Sequence, residues 1–148
     1  MALTVCEDSE GFQQKQKQNH YMRVYLSLPI TGYDEKERRS FTGRASGILM
    51  ATHEDWMIVN PFNVGDHVRR NKLEDGNFDE PTYDEFMAAD IKELQQCEKA
   101  IFCSGWERSE GCKEEYAECL RRGIDIGFLS EDCESVMWQS KIDLSAEE

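Results

Sequence analysis

Hydrophobic and polar positions follow two rhythms along the chain. Arg23–Leu28 (RVYLSL) reads as a first strand that stops at Pro29, and Thr31-Gly32-Tyr33 after it is loop chemistry. From Glu35 to about His53 the spacing of Phe41, Ala45, Ile48, Leu49 and Thr52 predicts a helix. Gly43 and Gly47 fall on one side of it, where they would allow close approach to a sheet. Trp56–Val59 is a short apolar strand stopped by Asn60-Pro61. Residues 60–80 read as a long polar connection of the kind that is usually functional or mobile. Pro81 suits the first turn of a helix reaching about Gln96. Lys99–Cys103 (KAIFC) is a third strand, broken by Ser104-Gly105-Trp106. A helix from about Gly111 to Arg122 follows, ended by Gly123, and Ile124–Leu129 (IDIGFL) is a fourth strand. Residues 131–140 are expected to form a last short helix.

Strands alternating with helices imply right-handed crossovers and a parallel sheet. Ligands of such sheets bind beyond the C-terminal strand ends. That rule nominates the loops Ser27–Tyr33, Asn60–Gly65 and Ser104–Gly111. The polar stretch GFQQKQKQNH marks residues 1–21 as a flexible extension. The domain then spans residues 22–142, and residues 143–148 form a loose tail.

A net charge of −13 argues against duplex nucleic acid or an anionic membrane as partner, since both would be repelled. It leaves room for a nucleotide pocket, which needs only a few local donors. No apolar run approaches the ~20 residues that span a bilayer. The six cysteines form no CxxC pair and only three histidines accompany them, so no metal site is expected. Without a secretory signal, the cysteines read as reduced thiols packed as small hydrophobes in a cytoplasmic protein.

Two carboxylates stand on faces that should be apolar. Asp90 lies four residues from both Phe86 and Leu94 on the core side of its helix. Glu115 shares a face with Cys112, Tyr116, Cys119 and Leu120. A carboxylate on such a face needs a partner or a purpose, or else sits at the edge of its stripe and reaches water. Glu115 is near its helix's N-terminus, where the dipole favours the ionised form and suits a nucleophile. Asp90 can accept a hydrogen bond from a sugar hydroxyl, or donate a proton if burial raises its pKa. Paired carboxylates are a recurring means of breaking glycosidic bonds. Ser109 fits a helix N-cap equally well as part of an anion site with Gly111. Trp106 and Tyr25 are candidates to stack on a base or sugar, or are simply core. Cys103 and Cys112 lack a histidine to activate them as nucleophiles.

These residues carry a resemblance. VYLSLPITG at 24–32, VNPF at 59–62 and the run AADIKELQQCEKAIFCSGWERSEGCKEEYAECLRRGIDI at 88–126 resemble nucleoside 2-deoxyribosyltransferase-like proteins, including small members with an SGPITG-like first loop. The likeness covers roughly residues 23–130. It implies a flavodoxin- or Rossmann-like three-layer α/β sandwich with a small parallel sheet of four to five strands. It also implies that Glu115 attacks the anomeric carbon, that Asp90 is the active-site aspartate, and that Tyr25 positions the glutamate. Ser27, Pro29, Thr31, Gly32, Asn60, Ser104, Trp106, Ser109 and Gly111 are the expected substrate-binding residues. The related 2′-deoxynucleoside 5′-phosphate N-hydrolases place a phosphate-binding serine where Ser109 stands. Leu28 replaces the usual glycine of the first loop, and Pro29 and Thr31 replace the hydrolases' serine and arginine. The resemblance implies no cofactor and a homo-oligomer, a dimer first.

Two functions follow as expectations. One is an enzyme that cleaves or exchanges the N-glycosidic bond of a nucleoside or nucleoside 5′-monophosphate. The other is a module on the same fold that binds a nucleotide without turnover. A third class, a protein-interaction domain with an acidic surface, predicts a shallow or filled pocket.

Overall fold

The computed structural model describes residues 21–140. The expected tail at 143–148 and all of the expected N-terminal extension but Tyr21 lie outside the described residues. The elements are β1 (Met22–Ser27), α1 (Glu35–Thr52), β2 (Trp56–Val59), α2 (Pro61–Glu74), α3 (Tyr83–Leu94), β3 (Lys99–Phe102), α4 (Glu110–Arg122), β4 (Asp125–Leu129) and β5 (Val136–Trp138). A single 3₁₀ turn, Trp106–Arg108, precedes α4.

The strands form one sheet in the order β2-β1-β3-β4-β5. The first three pairings are parallel, and β5 runs antiparallel at the edge. This is a small α/β fold of the Rossmann-like type. Strand β1 sits inside the sheet, and its side chains divide between two cores as the pleat dictates. Val24 and Leu26 pack with Ala45 and Leu49 of α1 and with Ile101. Tyr25 packs on the other face with Leu94, Phe102, Cys112 and Cys119, beneath α3 and α4. The order in which strands join the sheet reverses between β1 and β3, and α1 and α4 leave for opposite faces there. That switch point is where such sheets open a crevice.

The structure corrects several sequence expectations. Residues 60–80 are not a loop, because α2 occupies most of them. Asn60-Pro61 starts this helix: the Asn60 side chain accepts from the Phe62 amide and Pro61 takes the first turn. Ion pairs then fasten the polar helix. Asp66 joins Arg39 of α1 at 2.9 Å, and Lys72 joins Glu85 of α3 at 3.0 Å. Helix α3 begins after Pro81, with Thr82 and Glu85 forming a reciprocal capping box. Gly43 and Gly47 are exposed with open space beside them, so they serve no close approach to the sheet. Leu120, expected inside, is exposed, and Glu118 is buried instead. Gln95 and Arg122 satisfy its carboxylate at 3.0 and 2.9 Å, and Arg121 also pairs with it.

Residues 131–140 form a turn and β5 rather than a helix. Gly127 of β4 makes this possible. A Cβ there would lie 2.6 Å from Val136 Cγ1 and 2.9 Å from the Trp138 ring. Trp138 reaches edge-on to Trp56, with ring centroids 6.0 Å apart. Among the described residues no helix is long and apolar enough to cross a membrane.

Candidate functional site

A cleft of about 190 Å³ opens at the C-terminal edge of the sheet. Strand β1 supplies Tyr25, α3 supplies Asp90, and α4 supplies Glu115, so residues far apart in sequence line one space. Apolar side chains of Leu28, Phe62, Phe86 and Met87 form much of the wall. Ser109, Gly111 and Thr31 line it on the side of the α4 N-terminus.

Glu115 is 5% exposed and both of its oxygens are held. The Tyr25 hydroxyl donates to Oε2 and the Ser27 hydroxyl to Oε1, each at 2.6 Å. Tyr25 and Ser27 are two positions apart on β1, so the pleat aims both at the same face. Burial pushes the Glu115 carboxyl up to about 7, against the two hydroxyl bonds that pull it down. The expected influence of the helix dipole does not govern it. Glu115 lies in the second turn of α4, beyond the first turn where that field acts.

Asp90 is half-buried, and its pKa rises to about 8. Desolvation is the main cause, and the nearby Glu115 charge adds to it. The Tyr25 hydroxyl also interacts with Asp90 and opposes the rise. Tyr25 therefore feels both carboxyls, and its own pKa is raised well above the usual phenol value by burial and then by their charges. At neutral pH the arrangement favours a proton on Asp90 and a partly ionised Glu115. One group is then suited to donate and the other to attack.

The remaining predicted residues divide. Ser109 caps α4, accepting from the Cys112 amide at 3.3 Å, while also lining the cleft. Ser27 acts on Glu115 rather than facing a ligand directly. Pro29 lines a groove that continues past Ser109. Gly32 is a turn residue at φ +88°, and Asn60 is the α2 cap; neither lines the cleft. Ser104 faces a separate cavity on the α1 side. Trp106 does not line the cleft either, because it stacks on Tyr116 and Phe128 at 4.7 and 5.7 Å. Tyr25 is fully buried and gives its hydroxyl to Glu115, so its ring face is not open for stacking. Sequence reasoning missed Phe62, Tyr83, Phe86, Met87 and Arg69 of the lining. Reading residues 60–80 as a loop hid Phe62 and Arg69, while the apolar side of α3 read as core rather than as a wall of the site.

The five described cysteines are free and buried. Burial raises the Cys112 thiol to about 11, and Cys103 is raised further by the same cause. Neither is prepared to act as a nucleophile at neutral pH. Among the described residues no group of three or more His, Cys, Asp or Glu is arranged to hold a metal ion.

Residues 22–128 match a family described as Domain of unknown function (DUF4406). No curated protein and no solved structure matches the chain.

Proposed function

The chain belongs to the DUF4406 family, and we propose that it breaks or exchanges the N-glycosidic bond of a nucleoside or nucleoside 5′-monophosphate. The observation that carries this reading is a pair of carboxyls, half-buried Asp90 and buried Glu115, lining one cleft with the Tyr25 hydroxyl bonded to Glu115. The ionised Glu115 attacks C1′ of the sugar as the bond from C1′ to the base nitrogen breaks. The electron pair leaves with the base, and protonated Asp90 supplies a proton to it. Water, or a second base, then attacks C1′ and releases Glu115, while Asp90 takes up the proton this step frees. The developing oxocarbenium-like charge is stabilised by the nearby carboxylate. The apolar wall of Phe62, Phe86 and Met87 suits a planar base. The α4 N-terminus, capped by Ser109, suits a 5′-phosphate.

The test is a panel of nucleosides and 5′-monophosphates incubated with the full chain, with released base read by chromatography. We expect release by the wild type and a loss of at least about 10³-fold in Glu115→Gln, since the nucleophile is gone. Binding without release in the wild type would favour a non-catalytic nucleotide module. Neither binding nor release across the panel would overturn the reading.

A further inference from the structure

On the other side of the first loop a second cavity of about 260 Å³ opens between α1 and the ends of β3 and β4. Arg38, Arg108, Tyr33, Ser104, Ser130 and Glu131 contribute to its lining. It is not isolated. A groove lined by Thr31, Tyr83, Ser109 and Gly111, all residues of the cleft, also reaches Tyr33 and Arg108 of this cavity.

We propose that this cavity is an anion subsite in which Arg38 and Arg108 hold a phosphate-sized group. Arg38 is fixed in place: its guanidinium lies 4.6 Å from the Tyr33 ring centre and 5.1 Å from that of Phe41. Its side chain is only 13% exposed, and its ion-pair partner, Glu37, is 58% exposed. The Arg38 Nε is buried and has no hydrogen-bond partner. Arg108 makes no salt bridge among the described residues. Its guanidinium and the Tyr33 hydroxyl converge on Gly105, where a side chain would meet each at 3.4 Å. Gly105 is at φ +91°, so the backbone there favours glycine and keeps this space open.

The charges around the cavity set the ligand. Two guanidiniums face one lining carboxylate, the exposed Glu131. Ser130 is already tied to Asp132 and to the Ser135 amide, so Tyr33 and Ser104 are the hydroxyls left to assist. Arginine's planar fork matches phosphate oxygens in bidentate fashion. The group is either a free phosphate-type ion or the distal phosphate of a nucleotide whose base and sugar lie in the cleft. Glu110 and Glu114 line the groove between the two, so the anion's attraction comes from the far end. The nucleotide source rests on the proposed function; the anion subsite does not.

The experiment is calorimetric titration of the full chain with inorganic pyrophosphate, then with matched nucleoside mono- and diphosphates. Arg38→Gln also removes packing between two rings, so the exposed Arg108→Gln decides the outcome. Lys92→Gln, an exposed lysine of α3, is the control. We expect pyrophosphate to bind once per chain and Arg108→Gln to weaken it at least tenfold, with Lys92→Gln unchanged. If Arg108→Gln removes a tenfold preference for diphosphate over monophosphate, the nucleotide is the source. Pyrophosphate binding that a bound nucleoside does not alter identifies a free ion. No pyrophosphate binding together with no diphosphate preference overturns the subsite, as does equal weakening by Lys92→Gln. Base release is followed in parallel. Its absence beside arginine-dependent binding counts against the proposed activity and leaves the subsite standing.

Discussion

The Tyr25 hydroxyl donates to Glu115 Oε2 at 2.6 Å, joining two buried residues ninety positions apart in sequence. With Ser27 on the other oxygen, the bond keeps the carboxylate in one orientation and favours its ionised form. Tyr25→Phe removes this donor while keeping the ring that packs with Leu94 and Phe102. We expect kcat to fall roughly 10- to 100-fold with KM little changed, because the loss acts on the nucleophile. The acid limb of the pH–rate profile should also move to higher pH, since a bond that stabilises the charged form is gone. A pH–rate series on both forms checks it. A drop in rate with an unmoved limb would mean that Tyr25 only packs.

Asp90 and Glu115 also set how stability responds to pH. The folded chain holds protons on these carboxyls up to about 8 and about 7. In the unfolded chain carboxyls lose theirs at about 4. Unfolding therefore releases protons between those limits, and stability falls as pH rises from about 5 to about 8, by on the order of 2–5 kcal/mol. Asp90→Asn cannot ionise, so it should flatten this slope and raise Tm at pH 8. Thermal unfolding across the window is the measurement, and a slope unchanged in Asp90→Asn would contradict it.

Ser109 has two tasks that one variant separates. Ser109→Ala loses the bond to the Cys112 amide and should cost about 0.5–2 kcal/mol as a lost helix cap. If the α4 N-terminus also receives a 5′-phosphate, the same variant should reduce any advantage of a nucleoside monophosphate over its nucleoside in kcat/KM. Ser109→Asp restores a capping side chain but repels phosphate, so stability should recover while the preference stays lost. A preference that survives both variants would leave Ser109 as a cap alone.

Gly127 is where the sheet edge is most sensitive. Gly127→Ala places a methyl 2.6 Å from Val136 and 2.9 Å from Trp138. We expect a loss of about 1–3 kcal/mol, the usual cost of overpacking. The β5 residues should also exchange amide protons faster, because the clash pushes β5 away from β4. Urea unfolding and hydrogen exchange test this together.

Much of this was legible because certain residues break a local rule. A carboxylate on an apolar stripe marked both Asp90 and Glu115, and the alternation of β1 through β4 marked the sheet and the edge where they meet. Glu118 is as buried as Glu115 but is not legible in the sequence, since arginines three and four residues later give it the spacing of an ordinary surface ion pair. Helix α2 escaped because it buries only Pro61 and Phe62, at its start, and its other ties are pairs such as Arg39 with Asp66, which no local periodicity reports. Its start was hidden too, since Asn60-Pro61 can end a strand or open a helix. Strand β5 is three residues with a bare Met137, and only the contacts over Gly127 place it.

Tyr25 and Ser27 share one face of β1, while Val24 and Leu26 hold the other. A slip of β1 by one residue would turn every side chain over. Both hydroxyls would leave Glu115 at the same moment that the hydrophobic layer beneath α1 lost its strand. The site thus works as a gauge of strand alignment. A misaligned chain would be silent even while still compact, and activity, where it is found, certifies that the central strand has been threaded correctly.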